Sequence, residues 1–329
     1  MKLNGFKYDL PEELIAQFPA GERAAARLLT VDRSTRQISH SVFSRIGDLL
    51  DKDDVLVLNN TKVFKARLFA HKATGGRVEL LLIRQAGKDT WESMISHSKR
   101  VTQGTRLLLD RDTYVTIEEK MADARVMIRF SDPAMTIERY GIVPLPPYIR
   151  RQPAPGDEER YQTVFASEAG SIAAPTAGLH FTAELLEEIG RKVRIARITL
   201  HIGPGTFKPV RGESVEEHRM DAEYFEIPPE AISMVTGAKR VVAVGTSTCR
   251  ALETCAMTGQ SRGWADLFIY PGFRFQVVDR LLTNFHLPCS TPLLLVCAFA
   301  GKDLVFQAYK EAINRKYLFL SYGDAMLIT

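Results

Sequence analysis

The pattern of apolar residues in this 329-residue chain changes after Val63 and changes back after Phe130. Between these positions apolar and polar residues alternate, as in strands with one buried face, and turn residues such as Gly75-Gly76 separate the runs. Six strands at hairpin spacing predict a small antiparallel β-barrel or a sandwich. The predicted strands are 64–68, 77–82, 90–95, 105–109, 114–117 and 125–130.

On both sides of this segment strand and helix patterns alternate, which indicates an α/β domain. The predicted strands outside the segment are 28–31, 37–41, 55–58, 193–199, 241–244, 266–269 and 276–279. The predicted helices that follow the segment are 184–190, 230–239, 248–257, 292–299 and 304–314. The sequence therefore predicts a mixed α/β fold, with a discontinuous main domain (1–62 and 150–329) and an inserted β-barrel domain (63–149).

Positive charge is concentrated in the same region. Residues 60–151 carry 17 Lys or Arg against 10 Asp or Glu, a net charge of +7, whereas the rest of the chain has a net charge of −3. A basic surface attracts polyanions, because phosphates that bind Lys or Arg release their counterions. On charge alone, a nucleic acid partner and an ordinary solvated surface are equally consistent with the sequence.

The sequence shows no pattern of a secretion signal or a membrane span. The N-terminus lacks a long apolar core, and the longest apolar run, 293–300, is too short to cross a bilayer. The four cysteines form no C-x-x-C pair, which favours buried free thiols in a reducing compartment. We therefore expect a cytoplasmic protein without membrane partners.

Two loops place a histidine among small residues. They are A-A-P-T-A-G-L-H-F-T at 173–182 and T-L-H-I-G-P-G-T-F at 199–207, with His180 and His201. Glycines let the backbone approach a ligand closely, so both loops are candidate parts of a site, although a buried histidine often has only a structural role. Gly203-Pro204-Gly205 is not a dinucleotide motif, because the third glycine is absent and Lys208-Pro209 oppose a following helix.

A third candidate lies where the strand 241–244 runs into a helix. Gly245-Thr246-Ser247-Thr248 would supply free N–H groups and hydroxyls for a carboxylate or a phosphate. Ordinary capping of a helix is the alternative. Arg250 and Glu253, one turn later, would either join this site or pair within the helix.

A fourth candidate is T-N-F-H-L-P at 283–288. The amide of Asn284 and the imidazole of His286 would orient a heterocycle by hydrogen bonds to its edge. Fixing a buried loop is an equally good explanation for both. Glu223 and Asp324 are further acid or base candidates, and no cluster of residues has the spacing of a metal site.

Several uncommon strings occur together in one order along the chain. They are Y-D-L-P-E-E-L-I-A-Q at 8, L-N-N-T-K-V at 58, P-L-P-P-Y-I at 144, E-R-Y-Q-T-V-F-A at 159, the two histidine loops, T-N-F-H-L-P at 283 and S-Y-G-D-A-M at 321. Through these motifs, almost from end to end, the chain resembles the S-adenosylmethionine:tRNA ribosyltransferase-isomerases of queuosine biosynthesis. The resemblance implies a mixed α/β domain with an inserted β-barrel.

The resemblance also implies a reaction. The ribosyl unit of S-adenosylmethionine would move onto a 7-aminomethyl-7-deazaguanine at the tRNA wobble position, giving epoxyqueuosine, adenine and methionine. S-adenosylmethionine would be a consumed substrate, with no other cofactor and no metal. A proton must leave the carbon beside the sulfonium, so a base must lie within hydrogen-bond reach.

Residue roles follow from this reaction as expectations. We expect His180 or His201 to be the base, His286 with Asn284 to handle adenine, and the Gly245–Thr248 turn to hold the methionine carboxylate or a tRNA phosphate. Aromatic and acidic candidates to face the sulfonium are Phe181, Phe207, Glu223 and Asp324. The residues expected to contact substrate are Thr176, Gly178, Phe181, Gly203, Gly205, Thr206, Gly245, Thr246, Asn284 and Asp324.

For tRNA we expect phosphate contacts from basic residues in and beside the insert. They are Lys62, Lys65, Arg67, Lys99, Arg100, Arg150 and Arg151. The chain differs from the family pattern at Asp221, where a histidine is usual, and at Leu318, where a basic residue is usual. We expect a monomer. A methyltransferase and an RNA-binding protein without catalysis are the alternatives, and only the proposed reaction releases adenine.

Overall fold

The computed structural model describes residues 1–207, 210 and 212–329, except for the side chain of Phe207. The strands are β1 (Arg27–Val31), β2 (Ile38–Val42), β3 (Asp54–Asn59), β4 (Thr61–Val63), β5 (Arg67–Lys72), β6 (Arg77–Gln85), β7 (Thr90–Ile95), β8 (Arg106–Leu108), β9 (Tyr114–Lys120), β10 (Arg125–Phe130), β11 (Glu168–Ser171), β12 (Arg194–Leu200), β13 (Glu223–Glu226), β14 (Arg240–Val244), β15 (Arg262–Ala265), β16 (Arg280–Asn284) and β17 (Ala325–Ile328). The α-helices are α1 (Pro133–Tyr140), α2 (Asp157–Arg160), α3 (Ala183–Gly190), α4 (Pro229–Thr236), α5 (Thr246–Thr258), α6 (Thr291–Ala300) and α7 (Lys302–Asn314).

Strands β5 to β10 form a closed barrel in the order β10-β7-β6-β5-β8-β9, and all neighbouring pairs are antiparallel. Alternate residues such as Leu68 and Ala70 fill its interior. The barrel confirms the change of period seen in the sequence, and the sandwich alternative is wrong. Its first strand begins at Arg67 rather than Phe64, because β4 pairs with β11 and the N–H of Phe64 donates to the carbonyl of Ser171.

The other domain contains a nine-stranded sheet in the order β15-β13-β12-β3-β14-β16-β17-β1-β2. The central strands β12, β3, β14 and β16 are mutually parallel, and antiparallel pairs flank them. Strand β3 is buried on both faces, since Val55 and Val57 pack into one core and Leu56 and Leu58 into another. The mixed α/β class with an inserted antiparallel barrel is confirmed, whereas the exact domain boundaries stay a prediction.

Two predicted strands are wrong. Residues 266–269 and 276–279 are irregular, and the strands in this region are β15 and β16. For 276–279 the reason is Glu253, whose buried carboxylate accepts hydrogen bonds from the N–H groups of Gln276, Val277 and Val278 at 2.8, 3.1 and 2.9 Å. These backbone groups therefore have a side-chain partner instead of a neighbouring strand. Glu253 is thus a structural residue and does not pair with Arg250.

Local signals determine where α5 and α6 begin. Gly245 has a φ of 94°, which favours glycine, and α5 starts at the next residue. At α6 the hydroxyl of Ser290 accepts from the N–H of Leu293, and Pro292 occupies the first turn.

Among the described residues, no single helix is long and apolar enough to span a membrane. Taken together, α6 and α7 pass the same test of length and composition, but a bend of 115° separates them.

Candidate functional site

A cleft lies where the parallel strands of the main sheet end. Ile202 follows β12, Gly245 follows β14, and Asn284 ends β16, so the carboxyl ends of three parallel strands meet at one edge. Ligands of open α/β sheets commonly bind at such an edge. The cleft encloses about 1030 Å³ of empty space, part of it open to solvent. Its walls also include residues 173–177, 267–269, 285–287 and 290–292.

A buried ion pair forms part of the cleft wall. Arg250, on α5, is 7% exposed and Glu223, at the start of β13, is 4% exposed, and the guanidinium donates to the carboxylate. Glu223 also accepts from the N–H of Gly203 at 2.8 Å and the hydroxyl of Thr206 at 3.4 Å. The buried Nε of Arg250 has no hydrogen-bond partner among the described residues. Burial lowers the pKa of Arg250 to about 10, and the nearby charge of Asp266 opposes this shift, so the guanidinium is charged at neutral pH.

The start of α5 lies beside this pair. Gly245, Thr246 and Ser247 line the cleft. The hydroxyl of Thr248 donates to the carbonyl of Val244 at 2.6 Å, and that of Ser247 accepts from the amide of Asn59 at 3.2 Å. Of the three hydroxyls in this turn, that of Thr246 is therefore the candidate for a ligand. The positive end of the helix dipole adds to the charge of Arg250.

Asn284 and His286 form another wall. The amide oxygen of Asn284 accepts from Thr176 at 3.0 Å, and its nitrogen lies 3.2 Å from the carbonyl of Leu320 and 3.3 Å from Nε2 of His180. The ring of His286 contacts the hydroxyls of Thr283 and Tyr309, both at 3.4 Å. Burial lowers the pKa of His286 to about 3 and, with the nearby charge of Arg23, that of His180 to about 4. Both imidazoles are neutral at pH 7.

The cleft brings together part of the predicted set. His286, Glu223, Thr176, Thr206, Gly245, Thr246 and Asn284 line it. His180, His201, Gly178, Phe181, Gly203, Gly205 and Asp324 lie outside its wall. Phe207 has no described side chain, and Lys208-Pro209 lie outside the described residues. The roles of all these residues stay predictions.

Each residue outside the wall has an identified environment. His180 lies behind Asn284, and Phe181 is in the core against Phe43. Nδ1 of His201 lies 2.8 Å from the hydroxyl of Thr61, and burial lowers the pKa of this histidine. Asp324 pairs with Arg27 at 2.9 Å. The glycines are needed for packing: a Cβ on Gly178 would lie 2.8 Å from the ring of Phe165, and one on Gly205 2.9 Å from Asp221.

Sequence reasoning missed an aromatic and hydroxyl-bearing part of the cleft. Tyr148, Tyr161, Phe268 and Ser321 all line it. Three of them stand in the strings P-L-P-P-Y-I, E-R-Y-Q-T-V-F-A and S-Y-G-D-A-M. These strings carry the resemblance to the family, so the tyrosines and the serine in them could have been predicted as site residues from the sequence.

The basic candidates for tRNA contacts differ in their surroundings. Lys62, Lys99, Arg100 and Arg150 are exposed, and Arg150 pairs with Glu12. Lys65 pairs with Glu138 at 3.1 Å, and Arg67 with Glu79 at 2.9 Å. Arg151 donates two hydrogen bonds to the buried Asp157 at 2.6 and 2.8 Å. Lys62, Lys99, Arg100 and Arg150 therefore have the side chains most accessible to phosphates.

In the part of the chain that the structure describes, no group of three or more His, Cys, Asp or Glu side chains is arranged to hold a metal ion. The four cysteines are free, and Cys249 and Cys297 are buried. Cys255 and Cys289 are half-buried, so the expectation of buried free thiols is confirmed for two of the four cysteines.

Comparison with known proteins identifies the class. Residues 3–328 match the family described as "Queuosine biosynthesis protein", and the chain belongs to this family. It is similar to S-adenosylmethionine:tRNA ribosyltransferase-isomerases from Sulfurihydrogenibium sp. (strain YO3AOP1) and Aquifex aeolicus (strain VF5), at 48% and 46% identity over the full length of both chains. These matches confirm the family and the expectation of an enzyme, and they favour neither alternative function.

A solved structure supports the fold. The crystal structure of S-adenosylmethionine tRNA ribosyltransferase from Thermotoga maritima is 37% identical in sequence to this chain. The match covers 98% of this chain and 99% of that chain, with a TM-score of 0.57. The similarity extends over both the barrel and the main domain.

Proposed function

We propose that this enzyme transfers the ribosyl unit of S-adenosylmethionine to a 7-aminomethyl-7-deazaguanine at the wobble position of tRNA and isomerises it, giving epoxyqueuosine, adenine and methionine. The observation that carries the proposal is the pair of opposite buried charges, Arg250 and Glu223, beside the start of α5. A full-length match to relatives named for this activity supports it.

The pair suits the methionyl end of S-adenosylmethionine, which is itself a zwitterion. Its carboxylate would bind the free Nε–H of Arg250 and the N–H groups at Thr246, where the helix dipole adds attraction. Its ammonium or its sulfonium would face the carboxylate of Glu223. A buried charge needs a partner of opposite sign, and the methionyl end supplies both signs, a carboxylate for Arg250 and a cation for Glu223.

Glu223 is also the best placed of the three sulfonium candidates whose side chains the structure describes. Phe181 is in the core, Asp324 pairs with Arg27, and Glu223 lines the cleft. Gly203, Thr206 and Arg250 all donate to its carboxylate, and such donors favour the charged form of a carboxylate. We assign it electrostatic stabilisation of the bound cation rather than proton abstraction.

Asn284 and His286 remain the proposed partners of the adenine. Both line the cleft, and a neutral imidazole offers one donor and one acceptor to a heterocycle. His180 would then act indirectly by orienting the amide of Asn284. His201 shares its ring contacts with Thr61 and Tyr224, so its role as the base would require a movement of its loop toward the cleft.

Mass spectrometry tests the activity. A tRNA anticodon stem-loop carrying the 7-aminomethyl-7-deazaguanine is incubated with the protein and S-adenosylmethionine. The expected result is a mass gain equal to the epoxycyclopentanediol group, with one adenine released per modified stem-loop. A gain of one methyl group, or tight binding without any gain, would refute the proposal.

A second measurement tests the zwitterion site. Arg250→Lys and Glu223→Gln are expected to weaken binding of S-adenosylmethionine, but not binding of the stem-loop. Thr246→Asp would place a negative charge beside the carboxylate and should act in the same way. If these variants weakened only stem-loop binding, the turn would hold a tRNA phosphate instead.

A further inference from the structure

Three hydroxyl-bearing side chains meet in the cleft wall and have no role in the reaction as described so far. They are Tyr148, in the proline-rich segment, Tyr161, just after α2, and Ser321, before β17. The hydroxyls of Tyr148 and Ser321 are 2.7 Å apart. The three residues come from distant parts of the chain, so their meeting depends on the tertiary fold.

Tyr161 carries the least satisfied hydroxyl of the three. The residue is 1% exposed; the side chain of Ser321 and the backbone of Ala174 lie near its hydroxyl, but neither makes a hydrogen bond of normal geometry with it. Leaving a buried hydroxyl without a well-formed hydrogen bond costs up to about 1–3 kcal/mol. A neighbouring tyrosine, Tyr322, satisfies its own hydroxyl by donating to Asp157 at 3.0 Å. The contrast makes the hydroxyl of Tyr161 a candidate to bind a ligand in the cleft.

The chemistry of the group favours a neutral polyhydroxyl ligand. Burial raises the pKa of Tyr148 to about 12 and that of Tyr161 still further above its usual value, so both phenols stay protonated. Protonated phenols donate and accept hydrogen bonds but do not act as bases at neutral pH. The nearby cation, Arg151, is occupied by Asp157, so the group offers no free positive charge to a phosphate or a carboxylate.

Contacts with the surrounding residues fix the positions of Tyr161 and Ser321. Asp157 accepts from Arg151, from the N–H of Ala154 and from Tyr322, which follows Ser321 directly. The ring of Tyr161 packs edge-on against that of Tyr322 at 5.8 Å. On the other side, Leu320 accepts from the amide of Asn284. The cluster of Tyr148, Tyr161 and Ser321 thus adjoins the part of the cleft wall that we propose for the adenine.

We propose that Tyr148, Tyr161 and Ser321 form a subsite for the vicinal hydroxyls of the ribose of S-adenosylmethionine. This inference rests on the proposed function. Ribose lies between adenine and the methionyl group, as this subsite lies in the same cleft as Asn284 and the Arg250–Glu223 pair. Each ribose hydroxyl needs one donor and one acceptor, and neutral hydroxyl side chains supply both.

The test measures equilibrium binding, which does not depend on turnover. S-adenosylmethionine and its 2′,3′-dideoxy analogue are titrated into the wild type, Tyr161→Phe, Tyr148→Phe and Ser321→Ala by calorimetry. The wild type is expected to bind the analogue at least 10-fold more weakly than S-adenosylmethionine. Tyr161→Phe should bind S-adenosylmethionine about 3- to 10-fold more weakly and should discriminate less between the two compounds.

Thermal unfolding of the free protein separates binding from a structural role. Because the hydroxyl of Tyr161 makes no hydrogen bond of normal geometry with a described residue, Tyr161→Phe should unfold at the wild-type temperature or above it. The control Tyr322→Phe, which breaks the bond to Asp157, should unfold at a lower temperature and keep the wild-type discrimination.

Two outcomes would overturn the subsite. One is equal binding of both compounds by the wild type, and the other is unchanged discrimination in all three subsite variants. Failure of the wild type to bind S-adenosylmethionine at all would instead refute the proposed function on which the subsite rests.

Discussion

The carboxylate of Glu253 offers a direct test of how the cleft wall is held. It is fully buried and accepts three backbone hydrogen bonds, from Gln276 at Oε2 and from Val277 and Val278 at Oε1. These bonds hold the end of the irregular segment 266–279, and Leu267, Phe268 and Ile269 near its beginning line the cleft. Replacing Glu253 with Gln keeps the shape of the side chain and removes the charge.

The magnitude follows from those three bonds. The amide oxygen of Glu253→Gln still accepts from Val277 and Val278, but its NH2 group faces the N–H of Gln276, donor against donor. A hydrogen bond to a charged group contributes about 1.5–3 kcal/mol. Removing a buried charge returns part of its desolvation cost. We therefore expect the free energy of unfolding to fall by about 1–3 kcal/mol, and KM for S-adenosylmethionine to rise more than kcat falls.

Urea denaturation, followed by circular dichroism, measures this change against Glu226→Gln as a control. Glu226 is exposed and accepts from Tyr224, so its variant should stay within about 0.5 kcal/mol of the wild type. If Glu253→Gln were as stable as the control, the three N–H groups would have other partners, and the explanation of the irregular residues 276–279 would be refuted.

Three further predictions concern charge. Burial lowers the pKa of His180 and of His286, so the stability that these neutral imidazoles provide is present above pH 6.5 and is lost as the pH falls toward about 4 and 3. Between pH 6.5 and 5 the free energy of unfolding should fall by about 1.5 kcal/mol for each histidine. Denaturation at both pH values should show a smaller loss in His180→Gln, but not in the control His71→Gln on the barrel surface. Arg125→Ala should destabilise the fold more than Arg129→Ala, because Arg125 pairs with the buried Glu92 and with Asp221 of the other domain, whereas Arg129 pairs on the surface with Glu118; equal unfolding midpoints would contradict this. Neutralising Lys99 with Arg100 should lower the salt slope of stem-loop binding by about one for each phosphate that these side chains neutralise in the wild type, whereas Arg151→Ala should chiefly lower stability, and an unchanged slope for the first variant would exclude that patch.

The sequence predicts those parts of the fold in which local patterns and tertiary structure agree. The barrel was predictable because Leu68, Ala70 and their counterparts alternate with polar residues and each strand ends at a turn. The start of α5 was predictable from Gly245, whose positive φ favours glycine. Strand β17 was missed because it is short and is stabilised by parallel pairing with β1 and antiparallel pairing with β16. The local periodicity of a sequence does not indicate strand-pairing partners that are so distant along the chain.

The site was predictable only in part, for a related reason. Residues next to glycine-rich turns attract attention, and several of them, such as Thr176, Gly245 and Asn284, do line the cleft. His180 and His201 occur in similar strings, but whether they line the cleft depends on the direction in which their side chains point. Ile202 lines the cleft, whereas His201, one residue earlier, contacts Thr61 and Tyr224. A change of one position in an extended segment reverses the side-chain direction, and a motif alone does not specify it.

The same argument explains why hydroxyl groups escaped sequence analysis while charges and imidazoles did not. An arginine or a histidine within an apolar segment, such as Arg250 or His286, is noticed in a sequence because these residues are seldom fully buried. A tyrosine is not noticed in this way, because it occurs in cores as well as in sites. Only the fold shows that Tyr322 donates to Asp157, whereas the hydroxyl of Tyr161, near Ser321, makes no hydrogen bond of normal geometry with a described residue. Because a poorly satisfied buried group reduces stability, the position of this hydroxyl in a wall shared with Asn284 and Arg250 favours ligand binding over packing.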